Sequence, residues 1–304
     1  MVLRRTTTPP KALNVGVQVT HGVLTDQRET SQEAPKHTRQ HVAYECRNAL
    51  GVITMATHQP LKASDHTNNG KYHLLLAATG SVAAIKIPDI VTALSERPNL
   101  SIRVLLSKSA AEFLRGQSAE QPSLDQIARL RNVDAIYQDI DEWRKPWVRG
   151  DSILHIELRK WADMMVIAPL SANSLAKVAL GLSDDLVSSV VRAWDTSGMV
   201  DAPRNDLRKA YGDKKLIMVA PAMNTAMWAH PITASHMKVL TGEWSVEHGG
   251  WIQMLRPIEK ELACGDTGSG AMCDWKDIVA AIDARFSYSK KTTNGTTANG
   301  LNGT

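Results

Sequence analysis

The sequence predicts an α/β protein built on a doubly wound parallel sheet. Two observations indicate this class. Four short runs are almost continuously apolar, which is typical of parallel strands covered on both faces, whereas strands with one solvated face alternate apolar and polar residues. Longer stretches of helical character follow the runs, and this alternation of strand and helix is the pattern of a doubly wound sheet. In such sheets, ligands bind at the carboxyl ends of the strands.

The predicted elements follow one another in regular order. The predicted strands are Tyr72–Ala78, Ile102–Leu106, Met164–Ala168 and Leu216–Ala220. The helices predicted between and after them are Val82–Ser95, Ala110–Arg115, Leu175–Trp194, Thr225–Leu240 and Lys276–Phe286. Pro88 lies inside the first helix. Because proline lacks a backbone N–H and clashes with the preceding turn, it must kink that helix or restart it.

A change in composition near residue 70 marks the start of the folded part. Residues 1–69 hold one aromatic residue, Tyr44, whereas all eight Trp come later. A segment with so few large apolar residues can bury little apolar surface, and this burial cannot offset the entropy lost on ordering the chain. Residues 1–69 are therefore predicted to be a disordered extension. A transit peptide is the alternative, since only basic charges precede Asp26. Residues 70–287 form the predicted single domain, and residues 288–304, rich in Thr, Asn and Gly, a flexible tail.

Charge and cysteine content exclude several classes of protein. The 35 basic and 31 acidic residues give a net charge of +4. The charge is spread along the chain, so no nucleic-acid partner is expected. No apolar run approaches the roughly 18 residues of a membrane helix, so no membrane partner is expected. Three scattered cysteines, Cys46, Cys264 and Cys273, without a CxxC pair, argue against disulfides and zinc and favour a reducing, cytoplasmic location.

Small polar residues follow the first three predicted strands. Hydroxyl and amide side chains at three converging strand ends predict one cleft for a phosphate or a heteroaromatic ring. The alternative is that each turn contains only a helix N-cap. Neither GxGxxG nor GxxxxGK[ST] occurs, so an NAD enzyme and a P-loop NTPase are not supported. The residues are Gly80 and Ser81 after the first strand, Ser107 and Ser109 after the second, and Ser171 and Asn173 after the third.

The fourth predicted strand is followed by the distinctive string PAMNTAMW, residues Pro221–Trp228. Asn224 can hold a substrate carboxylate or amide through its two donors and two acceptor lone pairs, and Met227, one turn later, can cover that group. The alternative is that Asn224 only caps the next helix while Met227 and its apolar neighbours pack in the core.

Two further residues carry reactive side chains. Cys264 precedes a run with three glycines in six residues, which predicts an irregular, mobile flap that brings a thiol over a ligand; the alternative is a free surface cysteine. His155 suits proton transfer, although a lone histidine is often structural. A cysteine peptidase built on these two residues is a rival, but nothing before Cys264 resembles a peptidase nucleophile signature.

Five motifs, taken together, resemble the flavin-dependent cysteine decarboxylases. They occur in the family order and extend from about Lys71 to Phe286. Gly-x-Gly-Ala-Met after Cys264 is similar to the branch of the family that acts in coenzyme A biosynthesis. The motifs are Gly80–Lys86, His155–Arg159, Ala168–Asn173, Pro221–Trp228 and Ala263–Met272.

The resemblance implies a Rossmann-like (flavodoxin-like) fold, non-covalently bound FMN and a homotrimer with each active site at a subunit boundary. The implied substrate is 4′-phospho-N-pantothenoylcysteine. In the implied reaction, flavin oxidises the cysteine moiety to a thioaldehyde, CO₂ leaves, and the electrons return to give 4′-phosphopantetheine. The oxidation is needed because loss of CO₂ leaves a carbanion, and the substrate has no group that can accept its electrons until the C=S bond has formed.

The same resemblance implies a role for each candidate residue. The six small polar residues at the first three strand ends would hold FMN. His155 would assist oxidative decarboxylation, and Cys264 would protonate the ene-thiol during reduction. Asn224 would bind the substrate carboxylate, Met227 would belong to a clamp over the substrate, and Lys86 would pair with a substrate phosphate.

Some fungal relatives instead inhibit a protein phosphatase and carry a long acidic C-terminal tail. This chain has no Asp or Glu after Asp283 and keeps His155, Asn224 and Cys264, so a complete catalytic subunit is predicted. A regulatory inhibitor and a subunit of a mixed trimer are the alternatives. Residues 195–215 form a polar stretch longer than most connections in compact domains, which indicates a loop insertion or a partner surface.

Overall fold

The structure is a computed structural model that describes residues 60–201, 214–261 and 267–287. Cys264, the predicted tail at residues 288–304 and most of the predicted N-terminal extension lie outside the described residues. The described part contains no helix suited to spanning a membrane.

Within residues 60–201, 214–261 and 267–287, ten strands form one large sheet and two small ones. The large sheet has six strands in the order β5-β2-β1-β6-β7-β8, and every pairing in it is parallel. The strands are β1 (Tyr72–Ala78), β2 (Leu100–Leu106), β3 (Arg115–Ser118), β4 (Gln121–Ser123), β5 (Val133–Gln138), β6 (Met164–Leu170), β7 (Leu216–Pro221), β8 (Ile252–Met254), β9 (Ile258–Glu261) and β10 (Thr267–Ala271).

Ten described α-helices connect and flank these strands. They are α1 (Ile87–Leu94), α2 (Lys108–Glu112), α3 (Leu124–Ala128), α4 (Asp139–Glu142), α5 (Leu154–Trp161), α6 (Ala172–Leu180), α7 (Leu186–Arg192), α8 (Thr225–Ala229), α9 (Pro231–Thr241) and α10 (Trp275–Ser287). The predicted Rossmann-like (flavodoxin-like) doubly wound class is confirmed.

The core consists of two apolar layers, one on each face of the sheet. Every residue of β1, β2 and β6 is buried, which confirms the interpretation of their apolar runs. Successive side chains alternate between the layers, so that Leu74 and Leu76 pack with α1 and α10, while Leu75 and Ala77 pack with α5, α6 and α7. Full burial of one leucine stabilises the fold by about 1.5–3 kcal/mol.

The two outer strands of the large sheet were not predicted. β5 carries exposed and half-buried side chains among its apolar ones, and β8 has only three residues. Each has a single neighbour in the sheet, so neither needs a continuous apolar run.

Several predicted helices are divided at specific residues. The first consists of a 3₁₀ helix, Val82–Lys86, followed by α1, which restarts with Pro88 in its first turn, as one of the two predicted outcomes. The predicted helix Leu175–Trp194 is wrong as one element: Gly181, with φ 73°, ends α6, and the Asp185 side chain caps α7.

The other helix boundaries also differ from prediction. The predicted Thr225–Leu240 is α8 and α9, since α9 begins anew with Pro231. The predicted Ala110–Arg115 begins earlier, at Lys108, and ends at Glu112, before strand β3. The segment around His155, which was not assigned to an element, is helix α5.

Ordered structure extends further toward the N terminus than the predicted domain start. A 3₁₀ helix covers Ala63–His66, and Leu61 and Ala63 are buried in the layer beside α5. The Ala63 N–H donates to Glu157 Oε2 at 2.7 Å, which ties this segment to that helix.

The polar stretch after α7 begins with a tight turn around the buried Asp195. Its carboxylate accepts hydrogen bonds from the N–H groups of Ser197 (3.2 Å), Gly198 (2.9 Å), Val200 (3.0 Å) and Asp201 (2.9 Å), and from the Ser197 hydroxyl (2.9 Å). Burial acts to raise the pKa of the Asp195 carboxyl, but these hydrogen bonds outweigh burial and hold the pKa at about 2.

Asp201 connects this turn to the neighbouring elements. Its carboxylate pairs with Arg159 Nη1 of α5 at 2.8 Å and with Lys215 Nζ before β7 at 2.8 Å. Lys215 also donates to the Arg159 carbonyl at 2.8 Å. The first part of the polar stretch, up to residue 201, is therefore anchored, while residues 202–213 lie outside the described part of the chain.

The Asp195 turn predicts an acid-sensitive contribution to stability. The pKa of about 2 lies below the ordinary 3.8, so the contribution is complete above pH 4 and is lost as the pH falls through 2. We expect Asp195→Asn to lower the free energy of unfolding by about 2 kcal/mol at pH 7, and about half of this difference to disappear by pH 3. Urea unfolding at the two pH values measures it.

Asp89→Asn is the control, since Asp89 is half-buried and its one described side-chain partner is Lys86, across one helical turn. Its expected cost is below about 0.5 kcal/mol. A difference between wild type and Asp195→Asn that does not change with pH would contradict the assignment.

Candidate active site

The carboxyl ends of β1 and β6 form the centre of the candidate site. Strand order reverses between these two strands, which is where doubly wound sheets bind ligands. Thr79, buried directly after β1, joins the two ends: its hydroxyl donates to the Pro169 carbonyl at 3.0 Å and accepts from the Ser171 N–H at 2.7 Å. Sequence reasoning missed Thr79, whose signal was a polar residue at the end of an apolar strand.

A cavity of about 260 Å³ opens at this edge. Five of the six residues predicted to hold a cofactor line it: Gly80, Ser107, Ser109, Ser171 and Asn173. The sixth, Ser81, does not line it, and its hydroxyl makes no hydrogen bond within the described residues. The other lining residues are Lys108, Asp139, Ser174, Lys177, Asp184 and Asp185. The structure therefore brings together most of the predicted set.

The turns around this cavity fit a phosphate-bearing ligand. A Cβ on Gly80 would lie 2.7 Å from Ser109 Cβ, so only glycine allows the turns after β1 and β2 to approach this closely. Ser171 Oγ caps α6 by accepting from the Ser174 N–H at 3.3 Å. The N–H groups of Ala172 and Asn173 donate to no described acceptor and stand at the positive end of the α6 dipole. Such a helix start favours an anion.

The N-cap alternative is also confirmed for two of these serines. Ser107 Oγ accepts from the Ala110 N–H at 3.3 Å, and Ser171 Oγ accepts from that of Ser174. The Ser107 hydroxyl keeps its own proton and a second lone pair for a ligand, whereas the Ser171 hydroxyl also donates to Ser174 Oγ at 3.3 Å and keeps one lone pair.

A second cavity, of about 480 Å³, adjoins the first and shares the lining residues Asp139, Asp184 and Asp185 with it. His155 lies in its wall, together with Glu142. The remaining lining residues are Trp143, Ser183, Leu186, Ser189, Arg192 and Ala193. The predicted cofactor cleft and the predicted catalytic histidine therefore open into adjoining spaces.

His155 is held by Glu142, a residue that sequence reasoning missed. His155 Nδ1 lies 2.8 Å from Glu142 Oε1, and the His155 backbone N–H donates to Oε2 at 3.1 Å. The imidazole is 26% exposed and the carboxylate 7%, so a ligand can reach the ring while the acid stays covered.

Asp139, at the start of α4, connects the two cavities and was also missed. Its Oδ1 accepts from the Leu186 N–H at 3.0 Å, and its Oδ2 accepts from the Lys108 N–H at 3.2 Å. The turn after β2, which contains Ser107 and Ser109, is called the cofactor turn below. One carboxylate thus joins the cofactor turn to the start of α7. The sequence signal for Asp139 was a cluster of acidic residues after a strand, but strand β5 itself was not predicted.

An ion-pair cluster forms the wall that the cavities share. Lys177 Nζ lies 2.7 Å from Asp184 Oδ1 and 2.6 Å from Asp185 Oδ2. Burial acts to lower the pKa of Lys177, but hydrogen bonds to the two carboxylates outweigh burial and raise it. Lys177 therefore stays charged and fixes the connection between α6 and α7.

Asn224, Met227 and Lys86 line neither cavity. Asn224 Oδ1 accepts from the Met227 N–H at 2.8 Å and caps α8, as the capping alternative predicted, while its amide nitrogen has no described partner. Met227 is 51% exposed, so it does not pack in the core. Lys86 pairs with Asp89 at 3.1 Å. Their roles in substrate binding stay predictions.

The predicted irregular flap, Ala263–Met272, is corrected in its second half. Residues Thr267–Ala271 form strand β10, which pairs antiparallel with β9. The segment Pro221–Trp228 is called the Asn224 string below. Gly270, with φ +110°, lies against this segment, and its carbonyl accepts from the Met223 N–H at 2.9 Å. Cys264 lies outside the described residues, so its predicted role stays a prediction.

The described residues contain no group of three or more His, Cys, Asp or Glu side chains placed to hold a metal ion. The sheet, the cavity at its switch point and the acid-held histidine beside it define a class of protein, the Rossmann-like α/β proteins that bind a phosphate-bearing ligand at the carboxyl edge. A model of the Flavoprotein family matches residues 62–287, and the chain belongs to this family.

The relatives of the chain agree with the predicted resemblance. Phosphopantothenoylcysteine decarboxylase of Mus musculus is 36% identical over 228 residues, which cover 75% of this chain and 94% of the mouse protein. A probable thymidylate synthase of Schizosaccharomyces pombe is 38% identical over 231 residues, or 76% of this chain. The chain spans only 32% of that longer protein.

Two solved structures are similar over 71% of the chain. One is a PPC decarboxylase mutant complexed with pantothenoylaminoethenethiol, with 39% identity, a TM-score of 0.55 and 99% of its own chain covered. The other is the FMN binding protein AtHal3, with 40% identity, a TM-score of 0.53 and 97% covered. The resemblance to the flavin-dependent cysteine decarboxylases is confirmed.

Proposed function

We propose that this chain is the catalytic subunit of an FMN-dependent decarboxylase that converts 4′-phospho-N-pantothenoylcysteine to 4′-phosphopantetheine in coenzyme A biosynthesis. The observation that carries the proposal is the junction of two cavities: one is lined by five predicted cofactor residues, and the other presents His155 held by Glu142. The similarity to phosphopantothenoylcysteine decarboxylase supports the choice of substrate.

The residues of the first cavity are suited to FMN. The N–H groups at the start of α6 and the hydroxyls of Ser107, Ser109 and Ser171 offer donors to a phosphate and a ribityl chain without adding bulk. Gly80 keeps the space open, because a side chain there would collide with Ser109. When bound, FMN supplies a two-electron acceptor and donor for the cysteine moiety of the substrate.

The residues of the chain then handle protons and orientation. His155, with Nδ1 engaged by Glu142, offers Nε2 to a substrate group in the second cavity. The amide nitrogen of Asn224 has no partner among the described residues and is available to a substrate carboxylate. By the family resemblance, Cys264 would donate the proton of the reduction step.

We infer that the active unit is a homotrimer. Asn224 and Met227 line neither cavity, and Met227 is half exposed, which fits a site completed by a second copy of the chain. Light scattering is expected to give three times the chain mass. A monomer that is fully active would overturn the inference.

The test of the function combines colour and gas release. The purified protein is expected to be yellow and to release one CO₂ per substrate. Cys264→Ser is expected to release CO₂ but to accumulate the oxidised, decarboxylated product, because a hydroxyl is a much weaker proton donor than a thiol. Cys273→Ser is the matched control, since Cys273 is buried.

Two outcomes would count against the proposal. A colourless protein that does not take up added FMN would exclude the cofactor, and full turnover by Cys264→Ser would remove that thiol from the reaction. Flavin binding without CO₂ release would favour the regulatory alternative.

A further inference from the structure

We propose that Glu142 is a positioning residue that sets the tautomer and the orientation of His155 for the decarboxylation. The proposal rests on the proposed function for the reaction that His155 serves. Its structural basis is independent of that reaction and lies in the contacts between α4 and α5.

Glu142 contacts His155 at two points. Oε1 lies 2.8 Å from the ring nitrogen Nδ1, and Oε2 accepts from the backbone N–H of the same residue at 3.1 Å. An ionised carboxylate only accepts hydrogen bonds, so Nδ1 must carry the hydrogen. In the neutral ring, Nε2 is then the nitrogen with a free lone pair, available to take a proton from a substrate group.

Helix α4 holds this carboxylate in place. Asp139, at its start, accepts from the N–H groups of Lys108 and Leu186, and Asp141 accepts from the Gln138 N–H at 2.7 Å. The same four-residue helix thus contacts the cofactor turn, the start of α7 and His155. Because Glu142 is 7% exposed and built into this frame, its charge is directed at the imidazole and is poorly screened by water.

The other charged groups in the wall of this cavity act more weakly on His155. Asp139 is occupied by two backbone N–H groups, and Asp184 and Asp185 are paired with Lys177. Arg192 lines the same wall and is exposed. Among the described carboxylates, Glu142 is the one in direct contact with the ring, so it is the one that orients the imidazole.

The decisive variant is Glu142→Gln, which keeps size and one acceptor but removes the charge. We expect kcat to fall by about tenfold or more, with KM and the flavin spectrum nearly unchanged. We also expect nitrogen NMR of His155 to show a mixture of the two ring tautomers, because a glutamine side chain can donate to Nδ1 as well as accept from it. Glu142→Asp, which again offers only acceptors, is expected to restore the hydrogen on Nδ1 and part of kcat.

Glu157→Gln is the matched control. It makes the same change on α5, the helix that carries His155, but Glu157 contacts Ala63 and Lys160 instead of His155. It is expected to leave kcat and the tautomer of His155 unchanged. A fall in kcat for Glu142→Gln with the ring hydrogen still wholly on Nδ1 would indicate a merely structural role and overturn the proposal.

A second measurement does not depend on a variant that folds or on turnover. Nitrogen NMR of His155 in the wild-type holoenzyme is expected to show the hydrogen of the neutral ring on Nδ1. A hydrogen on Nε2 would overturn the proposal even if the enzyme is active. If the wild type releases no CO₂ and yet shows the expected tautomer, the proposed function fails while the positioning by Glu142 stands.

Discussion

Replacing His155 with Asn is expected to stop CO₂ release, lowering kcat by about 10²–10⁴-fold, which is the range that a positioned acid–base group contributes. The amide keeps polarity and similar size but neither accepts nor delivers a proton near neutral pH. The first cavity does not include His155, so flavin binding should persist. Gas release and the flavin absorbance, measured on the same sample, separate the two effects.

His248→Asn serves as the histidine control. His248 is exposed, and its ring contacts the Gly242 carbonyl at 2.9 Å, far along the chain from either cavity wall. Its replacement is expected to leave CO₂ release unchanged. Normal gas release by His155→Asn would contradict the role assigned to His155.

Gly270→Ala is expected to lower the free energy of unfolding by about 2–4 kcal/mol, the sum of backbone strain and overpacking. Gly270 has φ +110°, and an added Cβ would lie 2.8 Å from the Met223 carbonyl oxygen and 2.9 Å from Trp228 Cβ. Strand β10 would have to move away from the Asn224 string. Since this contact joins the strand that follows Cys264 to the predicted carboxylate site, KM for the substrate is also expected to rise.

Gly249→Ala isolates the strain from the collision. Gly249 also has positive φ, +78°, but nothing lies within 4 Å of an added Cβ. Its expected cost is about 1 kcal/mol. Denaturant unfolding of both variants measures the difference. Equal costs would show that β10 does not pack against the Asn224 string as described.

The central strands were predictable because each lies between two neighbours and under helices on both faces. Such a strand must be apolar at nearly every position, so β1, β2, β6 and β7 appear as largely apolar runs, with His73, Ser101 and Arg103 as buried exceptions. The edge strand β5 has no such requirement. Missing β5 also concealed α4, and with it the acidic residues that follow its carboxyl end.

The same reasoning explains which site residues could be predicted from the sequence and which could not. Gly80, Ser107 and Ser171 directly follow recognised strands, so their convergence on one edge could be inferred from parallel topology. Glu142 and His155 are 13 residues apart and belong to two short helices that were not predicted. No periodicity in the sequence indicates that one carboxylate would meet both the ring and the backbone of that histidine.

The sequence by itself determined the parallel α/β class, the small polar turns of the cofactor cleft and the family, because these depend on local pattern and on motifs that adjoin single strands. Only the tertiary structure decided which acids hold His155 and the cofactor turn, how Asp201 anchors the polar stretch, and that β10 packs on the Asn224 string. These contacts join segments whose meeting depends on the packing of the whole sheet. A carboxylate in the printed sequence does not reveal which N–H groups or rings it faces until that packing is formed.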